Sequence, residues 1–461
     1  MPAHFFATAW STAVLFSLLS NSDWFLELRV SPGSPKALFE TALAISALVV
    51  LWRPGSRAAL LGMAALQLAD VAWMLPFAFN HRLVLAAVNA ALLVCAARAA
   101  WRSPGSRPPP HPIECSAPAA RATVVLVYAF AFLAKLNTDF LDPASSCAVA
   151  FSRHISPLVD QVPGAAHAAA YGTMLVEAVL PLLLIVRRTR AYGAILGLGF
   201  HLVLSFDLVR HFVDFSAVMS ALLLLFVRLD MGEDANRRWS RRLAIAFGIL
   251  IAAGFGVHTL GDSDRGTRLI LVMVVQLLWV VYAAGLIVLA VRFRGAAPVG
   301  ARETFGMRPA LVPIVALVAL NGLAPYLGLK THTAWNMYSN LDVQPDRSNH
   351  LLVPRSLDVL GLQGEVATLI AVQPGAEELH SLLRDRIPGY FEHAHLREHV
   401  RLLEPDARWT RLELERLWAI LPELSVAQRR ALARSALDAQ ERARAALQSA
   451  LHPHHVSRHS R

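Results

Sequence analysis

Charged residues are scarce in this chain of 461 residues, where they make up 16% of the sequence against 55% hydrophobic residues. So little charge does not suit a water-soluble enzyme of this length, and the composition indicates a polytopic membrane protein. Lysine is the scarcest cation, because only Lys36, Lys135 and Lys330 are lysines among 43 basic residues. A lysine in an apolar segment therefore stands out from the arginine that the chain uses elsewhere.

Cysteine is also scarce, with only Cys95, Cys115 and Cys147 in the chain. The hydropathy pattern places Cys95 within an apolar span, Cys115 in a loop on one side of the membrane and Cys147 in a loop on the other. Since no two of them share one outer surface, we expect no structural disulfide within the chain.

Long apolar runs extend as far as residue 328, and they have about the length that a bilayer crossing requires. They predict an all-helical membrane bundle with ten or eleven transmembrane helices. The first run lacks a preceding basic region, so we interpret it as a retained span rather than a signal peptide. The candidate spans are residues 5–20, 37–52, 58–79, 83–101, 121–138, 167–186, 191–208, 212–227, 243–260, 268–291 and 309–328.

The net charge of +10 raises the question of nucleic-acid binding, but the positions of the arginines argue against it. Arginine concentrates in alternate loops, after the second, fourth, sixth, eighth and tenth spans. This distribution follows the positive-inside rule. It places the N-terminus in the cytoplasm and the chain after residue 329 outside, and we expect no nucleic-acid partner.

The sequence after residue 329 is more polar and predicts a second domain. Residues 351–373 contain short apolar runs broken by proline and glycine, which favours a few strands. Residues 411–451 alternate apolar positions with arginine and glutamate at helical spacing, which favours one or two amphipathic helices. We therefore predict a transmembrane bundle over residues 1–329 and a small extracytoplasmic α+β domain over residues 330–461.

Lys135 lies in the apolar segment 122–136 and is the leading candidate for a functional residue. An ammonium group is costly in hydrocarbon, and a desolvated lysine, unlike arginine, can lose its proton and act as a base. Its position is roughly 21 Å into a hydrocarbon core of about 30 Å, in the outer third. Position alone also allows a simpler interpretation, in which the side chain extends to the outer headgroups.

Other polar residues interrupt the predicted spans. Taken singly, each has a structural interpretation: His201 as a hydrogen-bonded packing residue, Glu177 and Asp70 as neutral acids bonded to a neighbouring helix. Asn80, which precedes His81 at the start of the fourth span, would be a helix N-cap. Taken together, they exceed what packing needs and predict a polar cavity that opens outward. No HExxH, CxxC or GxxxxGK[ST] motif is present, and we predict no metal site.

Several segments resemble, in the same order, motifs of vitamin K-dependent gamma-carboxylases and of the bacterial proteins with an HTTM domain. The segment VYAFAFLAKLNTDFLDPAS resembles the family signature YFxAGxxKLxxDWxxG. Four other segments resemble the family's NH, LxExxxPxLLxxRxTR, FH and MFSNL motifs, and the resemblance covers residues 60–360. Those segments are NHRLVLAAVNAALLV, TMLVEAVLPLLLIVRRTR, GFHLVLSFDL and THTAWNMYSNLDVQPDRSNHLLVP.

The resemblance implies an integral membrane enzyme, in a bacterial inner membrane. Lys135 matches the family's catalytic base. His81 and His201 match the histidines of the NH and FH motifs, which would stabilise an intermediate or orient the substrate. The supporting substrate-binding residues would be Glu177, Asp139 and Asn80.

In the chemistry that the resemblance implies, the lysine takes a proton from reduced vitamin K or menaquinol. Oxygen then converts the quinol to an epoxide through a strongly basic alkoxide, which removes a proton from a glutamate side chain so that carbon dioxide can add. The partners would be the lipid bilayer, the quinone and an extracytoplasmic peptide or protein. Phe140 and Pro143 replace the tryptophan and glycine of the signature, so Lys135 supports quinol chemistry better than carboxylation of a protein.

Two other function classes stay open. The bundle could be a non-catalytic protein that binds lipid or quinone and displays the C-terminal domain to a partner. A transporter is disfavoured because the sequence lacks paired half-helix repeats. The position of Lys135 discriminates between the first two, because an enzyme requires it in an enclosed site with His81 or His201.

Overall fold

The computed structural model describes residues 3–20, 24–25, 33–75, 78–101, 111–156, 158–206, 212–229, 231–260, 265–295, 305–330, 333–345 and 348–360. Within them the chain is mostly helical and forms no β-sheet. The helices are α1 (Ala3–Leu19), α2 (Pro35–Trp52), α3 (Arg57–Met74), α4 (Asn80–Ala100), α5 (Pro112–Lys135), α6 (Thr138–Leu141), α7 (Cys147–Ile155), α8 (Leu158–Gln161), α9 (Ala165–Ile185), α10 (Arg190–Leu204), α11 (Val213–Leu223), α12 (Glu233–Leu260), α13 (Arg265–Arg292) and α14 (Val312–Leu323).

Six of these helices are long and apolar enough to cross a membrane: α2, α4, α5, α9, α12 and α13. The shorter helices α1, α10, α11 and α14 are also apolar. The prediction of a helical membrane protein is therefore confirmed at this level. The long helices leave many large apolar side chains exposed, including Leu175, Leu277 and Val288, as expected where a surface faces lipid rather than water.

Local sequence explains where several helices begin. The Ser34 hydroxyl accepts a hydrogen bond from the Ala37 backbone amide, and Pro35 occupies the first helical turn of α2. Ser56 caps α3 in the same way. The start of α4 differs from our expectation, because Phe79 is its N-cap residue and Asn80 already belongs to the helix.

Helix α1 lies in the core of the bundle, where every residue from Phe5 to Leu19 is buried. It packs against α2, α11 and α12. One of its polar contacts joins the Trp10 indole nitrogen to the Asn89 amide oxygen of α4, at 2.9 Å. The Asn89 amide in turn donates to Gln67 of α3 at 2.5 Å, so a short buried polar chain connects three helices.

Helix α10 packs closely against its neighbours through Gly193 and Gly197, a GxxxG motif that predicts such packing. A Cβ added at Gly197 would lie 2.7 Å from a methyl group of Leu223 in α11. One added at Gly193 would lie 2.9 Å from the Leu183 Cβ in α9. The motif therefore marks a close contact between helices, as predicted.

A disulfide joins Cys95 to Cys115, so our expectation of no disulfide is wrong. We had placed Cys115 in a loop, but α5 begins at Pro112 and carries Cys115 in its first turn. The last turns of α4 lie beside that turn because the two helices pack as neighbours. Cys147 is buried in α7 and is not part of the disulfide.

A second compact unit contains residues 324–332, 342–348 and the chain from Val353 onward. Its described part is made of turns, with an isolated bridge between Val343 and Ser348 and a hydrogen bond from the Leu357 amide to the Tyr326 carbonyl. Residues 351–360, for which we predicted strand, form bends and turns, and Pro354 removes one backbone donor that a strand would need. Residues 361–373 and the helices predicted over 411–451 lie outside the described residues.

Candidate functional site

Lys135 is the last residue of α5 and points into the bundle, where its Nζ lies 2.9 Å from Oε2 of Glu177 in α9. Only 4% of Lys135 and 7% of Glu177 are exposed. The interpretation that Lys135 extends to the outer headgroups is therefore wrong. Its position at the end of a helix that packs along α9 brings the two charges together away from solvent.

Lys135 has two further neighbours. Its Nζ donates a hydrogen bond of 3.1 Å to the backbone carbonyl of Met337, and it lies 5.6 Å from the centre of the Phe140 ring. Met337 belongs to residues 333–341, a segment that follows α14 and packs with the helical unit. We call this stretch the returning segment, because it brings the chain back to the end of α5.

Asn137 holds the returning segment in place. Its side-chain amide donates to the carbonyls of Ser339, at 2.6 Å, and Ala134, at 2.8 Å, while its Oδ1 accepts from the Phe140 amide. Asn80, which we predicted to bind substrate, also serves this segment, because its Oδ1 accepts from the Trp335 amide at 3.3 Å. The position of Met337 beside Lys135 is thus set by contacts on both sides.

The returning segment has an unusual backbone. Thr333, Trp335, Tyr338 and Asn340 all have positive φ values between 49° and 58°, although none is glycine. Such left-handed conformations cost free energy in residues with a Cβ and concentrate at functional sites. The strain is held by the surrounding contacts, including the indole of Trp335, which donates to the Val318 carbonyl at 2.7 Å.

A second contact with the end of α5 involves residues 349–352, where Asn137 and His350 form an antiparallel bridge. The Leu351 amide donates to the Leu136 carbonyl at 2.8 Å. His350 Nε2 lies 2.9 Å from the Leu133 carbonyl, and its Nδ1 accepts from the Leu352 amide at 3.0 Å. Burial lowers the pKa of His350, and the hydrogen bond to the Leu133 carbonyl opposes that effect.

His201 lies at the centre of the bundle and is fully buried. Its Nε2 is 2.6 Å from the hydroxyl of Tyr128. Tyr128 precedes Lys135 by seven residues on α5, which is two helical turns and roughly 10.5 Å along the axis, on nearly the same face. The Tyr128–His201 pair and the Lys135–Glu177 pair therefore follow one face of α5.

His81 and Asp139 lie apart from Lys135. The His81 ring is 3.5 Å from an Asp214 carboxylate oxygen and stacks on Phe79, and its described polar contacts do not include Lys135. Asp139 is exposed and accepts from the Asn349 amide at 3.0 Å, so it supports the bridge at residues 349–352. The structure thus brings Glu177, but neither His81 nor Asp139, into contact with Lys135.

The bundle also contains a buried charge cluster that the sequence pattern did not reveal. Arg82 in α4 pairs with Asp70 in α3, and a second carboxylate, Glu40 in α2, lies 4.0 Å from the guanidinium. We had considered Asp70 only as a neutral acid. The signal that could have revealed the pair is Arg82 itself, a permanent charge at the start of an apolar span that requires a buried partner.

Lys135 and Glu177 form a buried ion pair, with 2.9 Å between Nζ and Oε2. A buried lysine of this kind is a candidate for proton transfer with a molecule bound beside it. Among the residues that the structure describes, no group of three His, Cys, Asp or Glu side chains could hold a metal ion. No protein-family model, curated protein or solved structure matches this chain.

Proposed function

We propose that this chain is an integral membrane enzyme in which Lys135, paired with Glu177, removes a proton from a reduced naphthoquinone such as reduced vitamin K or menaquinol. The observation that carries the proposal is the 2.9 Å contact between these two buried side chains. The resemblance of the surrounding sequence to the gamma-carboxylase motifs supports the same assignment. A desolvated lysine can act as a base, and an adjacent carboxylate stabilises the ammonium that forms when the amine accepts a proton.

We infer that the quinol binds beside His201. Its Nδ1 is buried and has no hydrogen-bond partner among the described residues. The rings of Phe200 and Phe215 pack near it, with centroids 5.7 and 5.3 Å away. An aromatic diol would supply a hydroxyl group for the nitrogen and a flat apolar ring for the phenylalanines.

In the proposed step, a phenolic O–H bond of the quinol breaks and an N–H bond forms on the Lys135 amine. The Glu177 carboxylate balances the resulting ammonium, and the Met337 carbonyl accepts one of its hydrogen bonds. Because both side chains are buried, water screens their charges little, and Glu177 therefore stabilises the ammonium more strongly than it would at the surface. Molecular oxygen would then oxidise the deprotonated quinol, with one oxygen atom entering the epoxide and the other leaving as water, and carbon dioxide would be a further co-substrate if carboxylation follows.

The number of membrane spans and their orientation are part of the same proposal. We propose ten or eleven spans in a bacterial inner membrane, with the N-terminus in the cytoplasm and an α+β domain after residue 329 outside. His81 and Asp214 would then lie on the outer side, close to the level of Lys135. A peptide or protein with a glutamate would approach from that side.

One observation favours a second function, the non-catalytic binding of lipid or quinone. The described contacts of Lys135 also form a structural tie, because the ammonium joins α5 to α9 through Glu177 and to the returning segment through Met337. In that case the lysine would fasten the chain that leads to the C-terminal domain. Removing it would change stability but no reaction.

The test uses purified full-length protein in nanodiscs, supplied with reduced menaquinone, oxygen and bicarbonate. We expect the wild type to form menaquinone epoxide, and both Lys135→Met and Lys135→Arg to lose that activity at least a hundredfold, because arginine cannot act as a neutral base. Lys36→Met is the matched control, since it removes a lysine from the first turn of α2.

Two results would contradict an enzyme. One is equal epoxide formation by wild type and Lys135→Met. The other is no epoxide from a wild-type protein that binds menaquinone and is folded, as judged by its unfolding temperature; this second result would favour the binding function.

A further inference from the structure

A cavity of about 400 Å³ lies at the end of the bundle where α1 begins, α2 ends and α12 begins. Three exposed arginines line it: Arg53 just after α2, and Arg237 and Arg241 one turn apart on α12. Glu233 also lines it, so these four side chains carry a net charge of +2, from three positive charges and one negative. The cavity is therefore suited to an anion.

The bottom of the cavity is polar and fixed. Asn236, which lines the cavity, is only 1% exposed. Its Nδ2 lies 3.4 Å from the Thr8 hydroxyl of α1, and Thr8 donates to Ser240, which donates to the Leu51 carbonyl of α2. This chain of hydrogen bonds joins the three helices beneath the cavity and holds the Asn236 amide in position.

The Asn236 amide is not fully satisfied. Its Oδ1 is buried and has no hydrogen-bond partner among the described residues. A buried polar atom without a partner costs free energy, and such atoms in folded proteins call for a water, an ion or a ligand. An amide oxygen accepts a hydrogen bond, so the fitting ligand carries a hydroxyl or amine donor in addition to its negative charge.

The location favours a lipid as the source of the anion. Helices α2 and α12 both have the length and apolarity of membrane spans, and the cavity lies at their ends, the level at which a bilayer would place its headgroups. Trp52 is exposed at that end of α2, and the guanidinium of Arg241 lies 5.3 Å from the centre of its ring. An exposed tryptophan with an arginine is typical of the membrane interface, and basic pockets between spans bind anionic headgroups.

We propose that this cavity binds the headgroup of an anionic glycerophospholipid, with the phosphodiester between Arg53, Arg237 and Arg241 and a headgroup hydroxyl on the Asn236 amide. Phosphatidylglycerol has this chemistry. A soluble glycerol phosphate shares it, so the experiment must separate the two sources. The site lies at the ends of α2 and α12, involves none of the residues of the proposed reaction, and does not depend on that reaction.

The experiment measures lipid binding to the purified full-length protein by native mass spectrometry in detergent. The probes are phosphatidylglycerol, phosphatidylcholine and phosphatidic acid with the same chains, and soluble glycerol 3-phosphate. The pocket variant is Arg237→Gln with Arg241→Gln. The matched control is Arg238→Gln with Arg242→Gln, which removes the same charge from exposed neighbours on α12 that do not line the cavity.

We expect wild-type protein to bind phosphatidylglycerol in preference to phosphatidylcholine, and the pocket variant to bind it about tenfold more weakly or worse. The affinity of the control variant for phosphatidylglycerol should stay within about twofold of the wild-type affinity, because we expect binding to depend on the arginines of the cavity and not on general surface charge. Asn236→Ala should reduce the preference for phosphatidylglycerol over phosphatidic acid, which lacks the hydroxyl.

Equal losses in the pocket and control variants would overturn the proposal, because binding would then follow total charge. So would equal binding of phosphatidylglycerol and phosphatidylcholine by the wild type. If glycerol 3-phosphate competes for the site at a concentration comparable to that of the lipid, the anion site stands and its ligand is the soluble phosphate.

Discussion

Nζ of Lys135 and Oε2 of Glu177 lie 2.9 Å apart on two helices that pack side by side, and both side chains are more than nine-tenths buried. Both groups are therefore largely withdrawn from solvent. The pair therefore couples the stability of the bundle to the chemistry we propose. Removing one member leaves the other buried without an opposite charge, whereas removing both leaves an apolar contact.

Glu177→Leu alone, or Lys135→Met alone, should lower the free energy of unfolding by about 3–5 kcal/mol, because each leaves an uncompensated buried charge. The double variant Lys135→Met with Glu177→Leu should recover most of that loss. Chemical unfolding of the detergent-solubilised protein measures all four proteins in one double-mutant cycle. Additive losses in the double variant would show that the two residues do not interact.

Gly197→Ala should destabilise the bundle by about 1–3 kcal/mol, since its Cβ would meet a Leu223 methyl group at 2.7 Å in a packed core. Gly199→Ala is the control on the same helix, because a Cβ there meets nothing within 4 Å. That substitution should be neutral or slightly stabilising, as alanine favours a helix. Thermal unfolding of both variants makes the comparison, and equal effects would argue against close packing of α10.

The contact at residues 349–352 should weaken in acid. The pKa of His350 is lowered from 6.5 in the folded protein, so the unfolded segment binds a proton more readily. The contribution of neutral His350 to the stability of this contact is complete above pH 6.5, and it is lost as the pH falls through the lowered pKa of the folded state. A proton on Nδ1 of His350 would also point at the Leu352 amide, which now donates a hydrogen bond to that nitrogen.

Hydrogen exchange of peptides that contain residues 349–352 tests this expectation. The protection factor of the Leu351 amide, which bonds to the Leu136 carbonyl, should fall between pH 7.5 and pH 5. His350→Gln should remove the pH dependence, because glutamine does not titrate in this range. A wild-type protection factor that stays constant over this range would contradict the assigned role of His350.

The cysteines provide a further test. Unfolded without reductant, the chain should expose one thiol, that of Cys147, and after reduction it should expose three. Reduction should also lower stability by about 3 kcal/mol, because the disulfide closes a loop of 20 residues. Mass spectrometry after alkylation counts the thiols. Three thiols without reductant would show that Cys95 and Cys115 are reduced in the isolated protein, as a cytoplasmic location for that end of the bundle would favour.

Much of the architecture could be predicted from the sequence, because hydropathy and segment length mark membrane helices directly. Lys135 was recognisable for the same reason, as a cation where hydrocarbon was expected. Its partner was not, since the pairing with Glu177 depends on which helices pack together. The contacts of Met337 and Asn137 could not be predicted from the sequence either, because they form only when the chain returns to the end of α5 after α14.

Two of the differences between expectation and structure have separate physical causes. The disulfide between Cys95 and Cys115 was missed because α5 begins earlier than the apolar run that defined its span, which moved one cysteine from a loop into a helix. We expected a few strands over residues 351–373; of these, residues 351–360 form bends and turns, and Pro354 lacks the backbone donor that a ladder would need there. The disulfide thus depends on which helices pack together, whereas the turns at residues 351–360 have a local cause.

The pairing of Arg82 with Asp70 has a consequence for the biogenesis of the protein. The two charges lie on consecutive helices, α3 and α4, so they can neutralise each other as soon as both helices have been synthesised. Until α3 packs against it, α4 would carry an uncompensated charge at the start of an apolar helix. We therefore expect α3 and α4 to pack together early, whereas Lys135 of α5 finds an opposite charge only after α9 has been synthesised.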